Sequence, residues 1–312
     1  MTQTTAHAQS TGSVLMIRPG RFYPNPETAA DNVFQRNVDR GSDALTLMAR
    51  KEFDAAVENL RAVGVNVHVF EDTAQPEKPD AVFPNNWIST HDDGRIALFP
   101  MYSAMRRRER RQDVVEELRK HYRVTEVIDY SAFEDEGCWL EGTGSLVLDH
   151  LNKIAYVSLS QRSNPKVIQR FADDFSYEPV TFTSIGSNGQ PIYHTNVMMC
   201  VGTEFAMVGL EMIRNKAKRQ QVRARLEKTG KEILELSGDQ IKNFAGNAIE
   251  LHNESGEKLL VLSSRADGAL TEEQRKRLSR YARLVPVDLP TIELGGGSAR
   301  CMIATIHLPS RL

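Results

Sequence analysis

The sequence predicts a single α/β domain built by repetition of one small unit. Short polar or small-residue stretches introduce apolar, strand-like runs at five places, and these stretches begin at residues 84, 142, 194, 246 and 298. The starting points are separated by 58, 52, 52 and 52 residues, and a fixed period of this size is the signature of a repeat architecture. Between them, segments with helical spacing alternate with short strand-like runs. A radial array of such units closes as one domain, so we assign residues 13–312 to one domain.

The composition bounds the class of protein and its partners. The chain has 312 residues, of which 40% are hydrophobic and 26% are charged, so it can bury a large core. Its formal net charge of −2 gives no case for binding nucleic acid or an anionic membrane surface. A small molecule is therefore the expected partner.

The three cysteines, Cys138, Cys200 and Cys301, are an odd number, lie far apart and form no Cys-x-x-Cys pair. This pattern argues against a disulfide framework and a zinc site, and it implies a reducing compartment. Residues 1–12 lack the basic and apolar regions of a signal peptide, and we expect them to form a disordered N-terminal arm. No later segment approaches the ~18 uncharged apolar residues of a membrane helix. A cytoplasmic location is expected.

The first half of the chain alternates between loop, helix and strand patterns. Residues 26–41 are mostly polar and favour an irregular loop able to cover a pocket mouth. Residues 43–62 repeat apolar side chains at helical spacing, and residues 65–70 alternate as a strand does. The basic run at residues 106–111 is expected to be the solvated face of a helix that continues to His121.

The second half repeats the same alternation. Thr271 is a predicted helix N-cap because Gln274 follows it three residues later. Further predicted helices cover residues 216–229 and 271–283, and one more ends at residue 175. Further predicted strands cover residues 14–17, 124–128, 145–148, 155–159, 180–184, 197–201, 206–209, 232–236, 259–263, 284–287 and 301–306.

The last repeat carries the best candidate for a reactive group. Three glycines, Gly295 to Gly297, allow positive φ and close approach of a ligand, and the chain then reaches Cys301 before an apolar run. We call the residues that lead into each strand its mouth. A thiol at a strand mouth occupies a position suited to a nucleophile, although a small buried cysteine is also common in cores. His194 lies at another mouth and, judged alone, is more often structural than catalytic. Glu141 lies at a third mouth, so the three side chains meet in one cleft if the mouths converge.

Other polar residues at the strand mouths allow two interpretations. Asp80, Asn85 and Asn86 bracket an apolar run, and residues so placed often cap turns. Arg162 follows a predicted strand, where it either binds a carboxylate bidentately or is a surface cation, and the sequence alone favours the surface.

These motifs resemble those of the penteins, the guanidine-modifying superfamily that includes arginine deiminases, dimethylarginine hydrolases, amidinotransferases and citrulline utilisation hydrolases. The resemblance covers most of residues 14–308 and rests on Gly-Gly-Gly-Ser-Ala-Arg-Cys ending at Cys301, Glu-Gly-Thr-Gly beginning at Glu141, and Ser-Gln-Arg-Ser-Asn around Arg162. It implies a five-bladed α/β propeller with pseudo-fivefold repeats.

The resemblance also implies a role for each candidate. It makes Cys301 the nucleophile, His194 the general acid and base, and Glu141 the carboxylate beside the histidine. Asp80 would hold a substrate nitrogen, and Arg162 would bind the substrate α-carboxylate. The glycine turn, with Gly296 and Gly297, would contact the substrate and steady an oxyanion.

The chain departs from dimethylarginine hydrolases at Asn85 and Asn86, where those enzymes carry an acidic pair. A buried guanidinium needs carboxylates, whereas a neutral ureido group is better matched by carboxamides. The sequence therefore predicts hydrolysis of citrulline to ornithine, carbon dioxide and ammonia through an S-carbamoyl intermediate, with no metal or organic cofactor.

The alternatives are an arginine deiminase or dimethylarginine hydrolase that produces citrulline, and a non-catalytic propeller that binds macromolecules. The expected partner is a small amino acid, and a homo-oligomer is possible.

Overall fold

The computed structural model of the chain describes residues 8–186 and 189–311. Most of the predicted disordered arm, residues 1–7, lies outside the described residues. Gln9, Ser10 and Thr11 do not behave as a disordered arm, because all three are buried. The Gln9 Nε2 donates to two backbone carbonyls, 2.9 Å from Leu148 O and 3.0 Å from Val201 O. These two bonds hold the segment against two strands that are far apart in the sequence.

Within the described residues, fifteen strands form five three-stranded sheets of the same internal order. The middle strand of each sheet runs antiparallel to one neighbour and parallel to the other. The predicted repeat is confirmed in this form. The strands are β1 Ser13–Arg18, β2 Asn66–Glu71, β3 Ile88–Thr90, β4 Arg95–Leu98, β5 Glu126–Asp129, β6 Val147–Asp149, β7 Ile154–Ser158, β8 Glu178–Phe182, β9 Met199–Val201, β10 Phe205–Val208, β11 Glu232–Glu235, β12 Ile249–His252, β13 Lys258–Ser263, β14 Arg283–Val287 and β15 Ala304–Thr305.

Helices connect the two parallel strands of each sheet. Their apolar faces pack on the sheets, as in α1, whose buried side chains recur at helical spacing from Leu45 to Leu60. The helices of the described chain are α1 Ser42–Ala62, α2 Ala104–Arg107, α3 Gln112–His121, α4 Gly142–Ser145, α5 Pro165–Phe175, α6 Lys216–Lys228, α7 Gly238–Lys242, α8 Ser264–Ala269 and α9 Glu272–Leu278. None of them is both long enough and apolar enough to cross a membrane.

The sheets are β3-β4-β5, β6-β7-β8, β9-β10-β11, β12-β13-β14 and β15-β1-β2. The last one joins the two ends of the described chain, since Val14 of β1 pairs with Thr305 of β15. The outer strands of neighbouring sheets also contact one another, at β6 with β9, β9 with β12, and β15 with β3. The strand mouths of all five units therefore lie near one another.

The structure corrects several predicted boundaries. The helix predicted through His121 is two helices, α2 and α3, and the helix predicted over residues 271–283 ends at Leu278. The strand predicted over residues 301–306 is only two residues long, because the backbone amides of Cys301 and Met302 bond to Ser298 O in a turn.

Helical turns also occur at three other strand mouths. Short helical turns at Pro84–Asn86, Gly142–Ser145 and Thr195–Val197 precede β3, β6 and β9, so β6 and β9 begin later than predicted. The polar residues of these mouths thus lie on helical turns or directly before them.

Candidate active site

Cys301, His194 and Asp80 line one small cavity that the strand mouths enclose. Asn86, Arg162 and Gly297 also line it. The sequence prediction did not include its other lining residues, which are Asn32, Phe83, Arg106, Tyr193 and Gly295. Two predicted contacts, Asn85 and Gly296, are not among the lining residues, and Glu141 lies behind His194.

Two glycines allow this close convergence. A Cβ on Gly144 would lie 2.3 Å from Asn86 Nδ2 and 2.8 Å from His194 Nδ1, so only glycine lets these side chains meet across α4. Gly296 has a φ of +84°, in the left-handed region that favours glycine. Its carbonyl accepts a 2.6 Å hydrogen bond from Tyr193 Oη, which fastens the glycine turn to the cavity wall.

His194 and Glu141 form a buried pair at the back of the cavity. The His194 Nε2 lies 2.7 Å from Glu141 Oε2 and donates to it, which leaves Nδ1 as the basic nitrogen. Burial lowers the pKa of His194 to about 4, against the opposing effect of the Glu141 carboxylate, so the imidazole is neutral at pH 7. Burial would raise the pKa of Glu141, but Arg162, His194 and Arg106 outweigh it and hold that pKa well below its usual range. A neutral base therefore rests on an ionised carboxylate.

Arg106 is the main feature of the site that the sequence prediction missed. It was expected on a solvated face, yet its side chain is only 3% exposed. The guanidinium Nε and Nη2 each lie 2.9 Å from a carboxylate oxygen of Glu109, and Nη1 donates to Asn86 Oδ1 at 2.9 Å. Arg106 lies in the short helix α2, which ends at Arg107, before α3 begins at Gln112. Glu109, three residues after Arg106, was the available signal for a paired arginine.

Asp80 lies beside this arginine and retains one free oxygen. Its Oδ2 accepts from Asn25 Nδ2 at 2.8 Å and lies 3.7 Å from Arg106 Nε. Its Oδ1 is buried and has no hydrogen-bond partner in the described part of the chain. Burial raises the pKa of Asp80, although Arg106 and Asn25 act against the shift. The unpaired oxygen is an acceptor available to a ligand.

Arg162 is buried and already paired with carboxylates. Its Nε and Nη2 lie 2.9 and 2.6 Å from the two carboxylate oxygens of Asp31, and Nη1 lies 3.3 Å from Glu141 Oε2. The guanidinium lies over the ring of Tyr193, 4.7 Å from its centroid. A ligand carboxylate can reach Arg162 only by replacing that of Asp31.

Asp31 belongs to the loop predicted to cover a pocket mouth. This loop is fastened to the site at several points: Asn32 Nδ2 donates to Gly295 O at 3.1 Å, and Arg36 N donates to Leu294 O at 3.0 Å. Asn25, at its start, bonds to Asp80. Residues 25–36 therefore close the cavity from outside.

Cys301 is buried, with 2% of the residue exposed. Two carboxamides that the sequence prediction did not include contact its sulfur. Asn247 Nδ2 lies 3.2 Å from Sγ, and Asn196 Nδ2 lies 3.4 Å from it. All three cysteines are free thiols in the structure. Among the described residues, no group of three or more His, Cys, Asp or Glu side chains is placed to hold a metal ion.

The chain matches the model of one known family. The model of the family described as N,N dimethylarginine dimethylhydrolase, eukaryotic, matches residues 18–308. The chain belongs to this family. The dimethylarginine dimethylhydrolase family and its structural neighbours are penteins, guanidine-modifying enzymes, so the resemblance seen in the sequence motifs is confirmed. No curated protein matches the chain.

Solved structures share the fold of this family member at low sequence identity. The N-terminal domain of ArgZ, an arginine dihydrolase of cyanobacteria, solved with a covalently bound reaction intermediate, has a TM-score of 0.74 and 16% identity over 95% of this chain and 98% of its own. Unliganded AgrE has a TM-score of 0.73 and 15% identity over 96% of this chain and 40% of its own. A cysteine-to-serine variant of the dimethylarginine hydrolase of Pseudomonas aeruginosa, complexed with citrulline, has a TM-score of 0.64 and 14% identity over 95% of this chain and 99% of its own.

Proposed function

We propose that the chain is a cysteine-dependent hydrolase that converts citrulline to ornithine, carbon dioxide and ammonia. The observation that carries this proposal is the orientation of the Asn86 carboxamide. Its Oδ1 is occupied by the 2.9 Å bond from Arg106 Nη1. Its Nδ2 is buried and has no partner within residues 8–186 and 189–311, so a donor is the group left for a ligand.

A free amide donor distinguishes the two kinds of substrate. The ureido group of citrulline has a carbonyl oxygen that accepts a hydrogen bond from it, whereas a guanidinium carries only donors and would set N–H against N–H. A buried donor without an acceptor costs roughly 1–3 kcal/mol. Asn86 therefore favours the neutral ureido substrate.

The first half of the proposed reaction transfers the carbamoyl group to the enzyme. Neutral His194 takes the thiol proton of Cys301, and the sulfur attacks the ureido carbon. Negative charge develops on the carbonyl oxygen, where the Asn86 amide and the backbone of the glycine turn donate to it. The imidazolium, stabilised by Glu141, then gives its proton to the δ-nitrogen of citrulline, and the carbon–nitrogen bond breaks to release ornithine.

The second half regenerates the enzyme. His194 removes a proton from water, the resulting hydroxide attacks the S-carbamoyl carbon, and the carbon–sulfur bond breaks with return of the proton to sulfur. Carbamic acid leaves and decomposes to carbon dioxide and ammonia. Throughout, Arg162 binds the α-carboxylate in place of Asp31, and Asp80 Oδ1 accepts an N–H of the terminal ureido nitrogen.

A second candidate is hydrolysis of arginine or a dimethylarginine to citrulline. Asp80 favours it, because a buried carboxylate with a free oxygen suits a guanidinium better than a ureido group. The family match and the arginine dihydrolase activity of ArgZ lend it further support. The two candidates differ in whether the donor of Asn86 or the charge of Asp80 dominates at the reacting carbon.

Product chromatography separates these candidates. The purified chain is incubated in turn with citrulline, arginine and asymmetric dimethylarginine, and we expect ornithine and ammonia from citrulline. Cys301→Ala should abolish turnover, whereas Cys138→Ala and Cys200→Ala, the matched controls, should retain it. Release of citrulline from arginine or dimethylarginine would select the second candidate. Undiminished activity of Cys301→Ala would overturn both.

We also propose that the five sheets close into a five-bladed propeller over residues 13–312. The pairing of β15 with β1 and the contacts between strands of neighbouring sheets support this closure. A closed ring explains how residues as distant in sequence as Asp80 and Cys301 line one cavity.

A further inference from the structure

The surroundings of the Cys301 sulfur differ from those of an ordinary buried thiol. Two amide nitrogens, Asn247 Nδ2 at 3.2 Å and Asn196 Nδ2 at 3.4 Å, point their hydrogens at it. Both asparagines are almost fully buried, with 0% and 1% exposure. Buried side-chain amides are as a rule hydrogen-bonded, and the acceptor that Asn196 Nδ2 has in the described residues is this sulfur. The sulfur is therefore surrounded as a hydrogen-bond acceptor.

Backbone bonds fix which end of the Asn247 carboxamide faces the sulfur. Its Oδ1 accepts from Arg300 N at 3.1 Å, and its Nδ2 also donates to Asn196 O at 3.0 Å. Reversing the carboxamide would set nitrogen against an N–H and oxygen against a carbonyl, so the orientation does not depend on an arbitrary assignment. Asn196 has no such constraint, because its Oδ1 is without a partner in the described residues. Asn247 is thus the firmer of the two donors.

We propose that Asn247, assisted by Asn196, is a catalytic residue that stabilises the thiolate formed when His194 takes the proton of Cys301, by donating amide hydrogens to the sulfur. A thiolate is a full-charge acceptor, whereas a neutral thiol is a weak one, so donors held at this position favour the ionised form. The asparagines add no charge of their own. They therefore stabilise the attacking sulfur without adding a charge to a cavity that Arg106 and Arg162 already line.

The same contacts position the nucleophile. Asn247 lies at the mouth of the fourth repeat and Asn196 at that of the third, while Cys301 lies at that of the fifth. One carboxamide therefore links the Cys301 sulfur, Arg300 N and Asn196 O across three repeat units. The sulfur is held at the place where the units meet, which fixes the direction of its attack.

Thiol alkylation tests this inference directly, in a protein whose only thiol is Cys301 because Cys138 and Cys200 are replaced by serine. Asn247→Asp keeps the acceptor for Arg300 N and replaces the donor by a carboxylate oxygen. We expect iodoacetamide to alkylate Asn247→Asp at least tenfold more slowly than its parent at pH 7. The pH profile of alkylation should also move upward by at least one unit. Asn243→Asp, on the preceding turn and remote from the sulfur, is the control and should leave both unchanged.

Asn247→Ala and Asn196→Ala, which remove a donor without adding charge, keep the test decisive if the aspartate variant fails to fold. Both should slow alkylation, Asn247→Ala by more, and the pH-dependent thiolate absorbance near 240 nm should shift in the same order. An unchanged rate and profile in folded Asn247 variants would overturn the inference. The inference rests on the proposed function, but alkylation needs no substrate. A fully active Cys301→Ala variant would overturn the proposed function. Unchanged alkylation would overturn only the proposed role of the two asparagines.

Discussion

Asn85 and Asn86 are adjacent in the sequence and equally buried, yet the structure gives them different surroundings. Asn86 lines the cavity and bonds to Arg106, whereas Asn85 does not line it. Two carboxamides that a sequence comparison treats as a pair are therefore not equivalent. This difference at single-residue scale allows the substrate preference to be tested by one substitution and a matched control.

We expect Asn86→Asp to reduce kcat/KM for citrulline by at least tenfold and to reduce that for arginine much less, or to raise it. The aspartate keeps an oxygen for Arg106 Nη1 and replaces the free donor by a second oxygen, which repels a ureido carbonyl and attracts a guanidinium. Steady-state kinetics with both substrates measures the change in preference. Asn85→Asp, with thermal unfolding recorded to check its fold, should leave the preference unaltered. An equal shift in the Asn85 variant would contradict the assignment of substrate preference to Asn86 alone.

At the scale of an element, the loop over residues 25–36 has a second role besides covering the cavity. Its Asp31 carboxylate accepts hydrogen bonds from Nε and Nη2 of Arg162, a pair of donors that a substrate carboxylate would use. The loop is also bonded to the glycine turn through Asn32. Binding of an amino acid must therefore compete with a carboxylate that belongs to the protein itself.

Removing this competition should tighten substrate binding. In the inactive Cys301→Ala background, we expect Asp31→Asn to lower the Kd of citrulline about three- to tenfold, because the fraction of molecules with Arg162 available rises. Isothermal titration calorimetry measures the affinity. Asp39→Asn, an exposed position further along the same segment, should bind citrulline as the parent does. Weaker binding in Asp31→Asn would mean that Asp31 contacts the substrate rather than competing with it.

At the scale of the whole molecule, three histidines pack together away from the cavity. The rings of His150 and His307 have centroids 4.1 Å apart, and those of His91 and His150 are 6.4 Å apart. Burial lowers the pKa of all three, in the case of His307 to about 4. Between pH 6.5 and about 4 these histidines therefore bind more protons in the unfolded chain than in the folded one, and their contribution to the free energy of unfolding falls as the pH falls through this window.

We expect urea unfolding at pH 5 to report a lower stability than at pH 7.5, with His307 contributing about 2 kcal/mol of the loss. His307→Gln should reduce the difference between the two pH values by about that amount. Titrating groups away from His307, including carboxyls that act in the opposite direction, are the same in both proteins and cancel in the comparison. Loss of His307 also removes one cause of the lowered pKa of His91 and His150, which adds to the reduction. His121→Gln, at an exposed position, should leave the difference as it is. The same pH dependence in His307→Gln would contradict the assignment.

The sequence by itself determined the repeat, most of the strands and the longer helices, and the candidates Cys301, His194 and Glu141, but it gave no prediction for β4. These follow from local features: apolar periodicity sets strand and helix type, a fixed interval marks each strand mouth, and glycines mark close approach. Element boundaries were less well predicted at the mouths, because helical turns there replace the first residues of the strands.

Only the tertiary structure decided which charges are buried and which donors meet the sulfur. Arg106 lies in a basic run that looks solvated, and it is buried because Glu109 and Asn86 surround it. The contact of Asn247 with Cys301 spans 54 positions, and that of Arg162 with Asp31 spans 131. Local patterns report which face of an element turns inward, but they carry no information on which distant side chain fills the space opposite. That choice depends on how the five sheets are brought together.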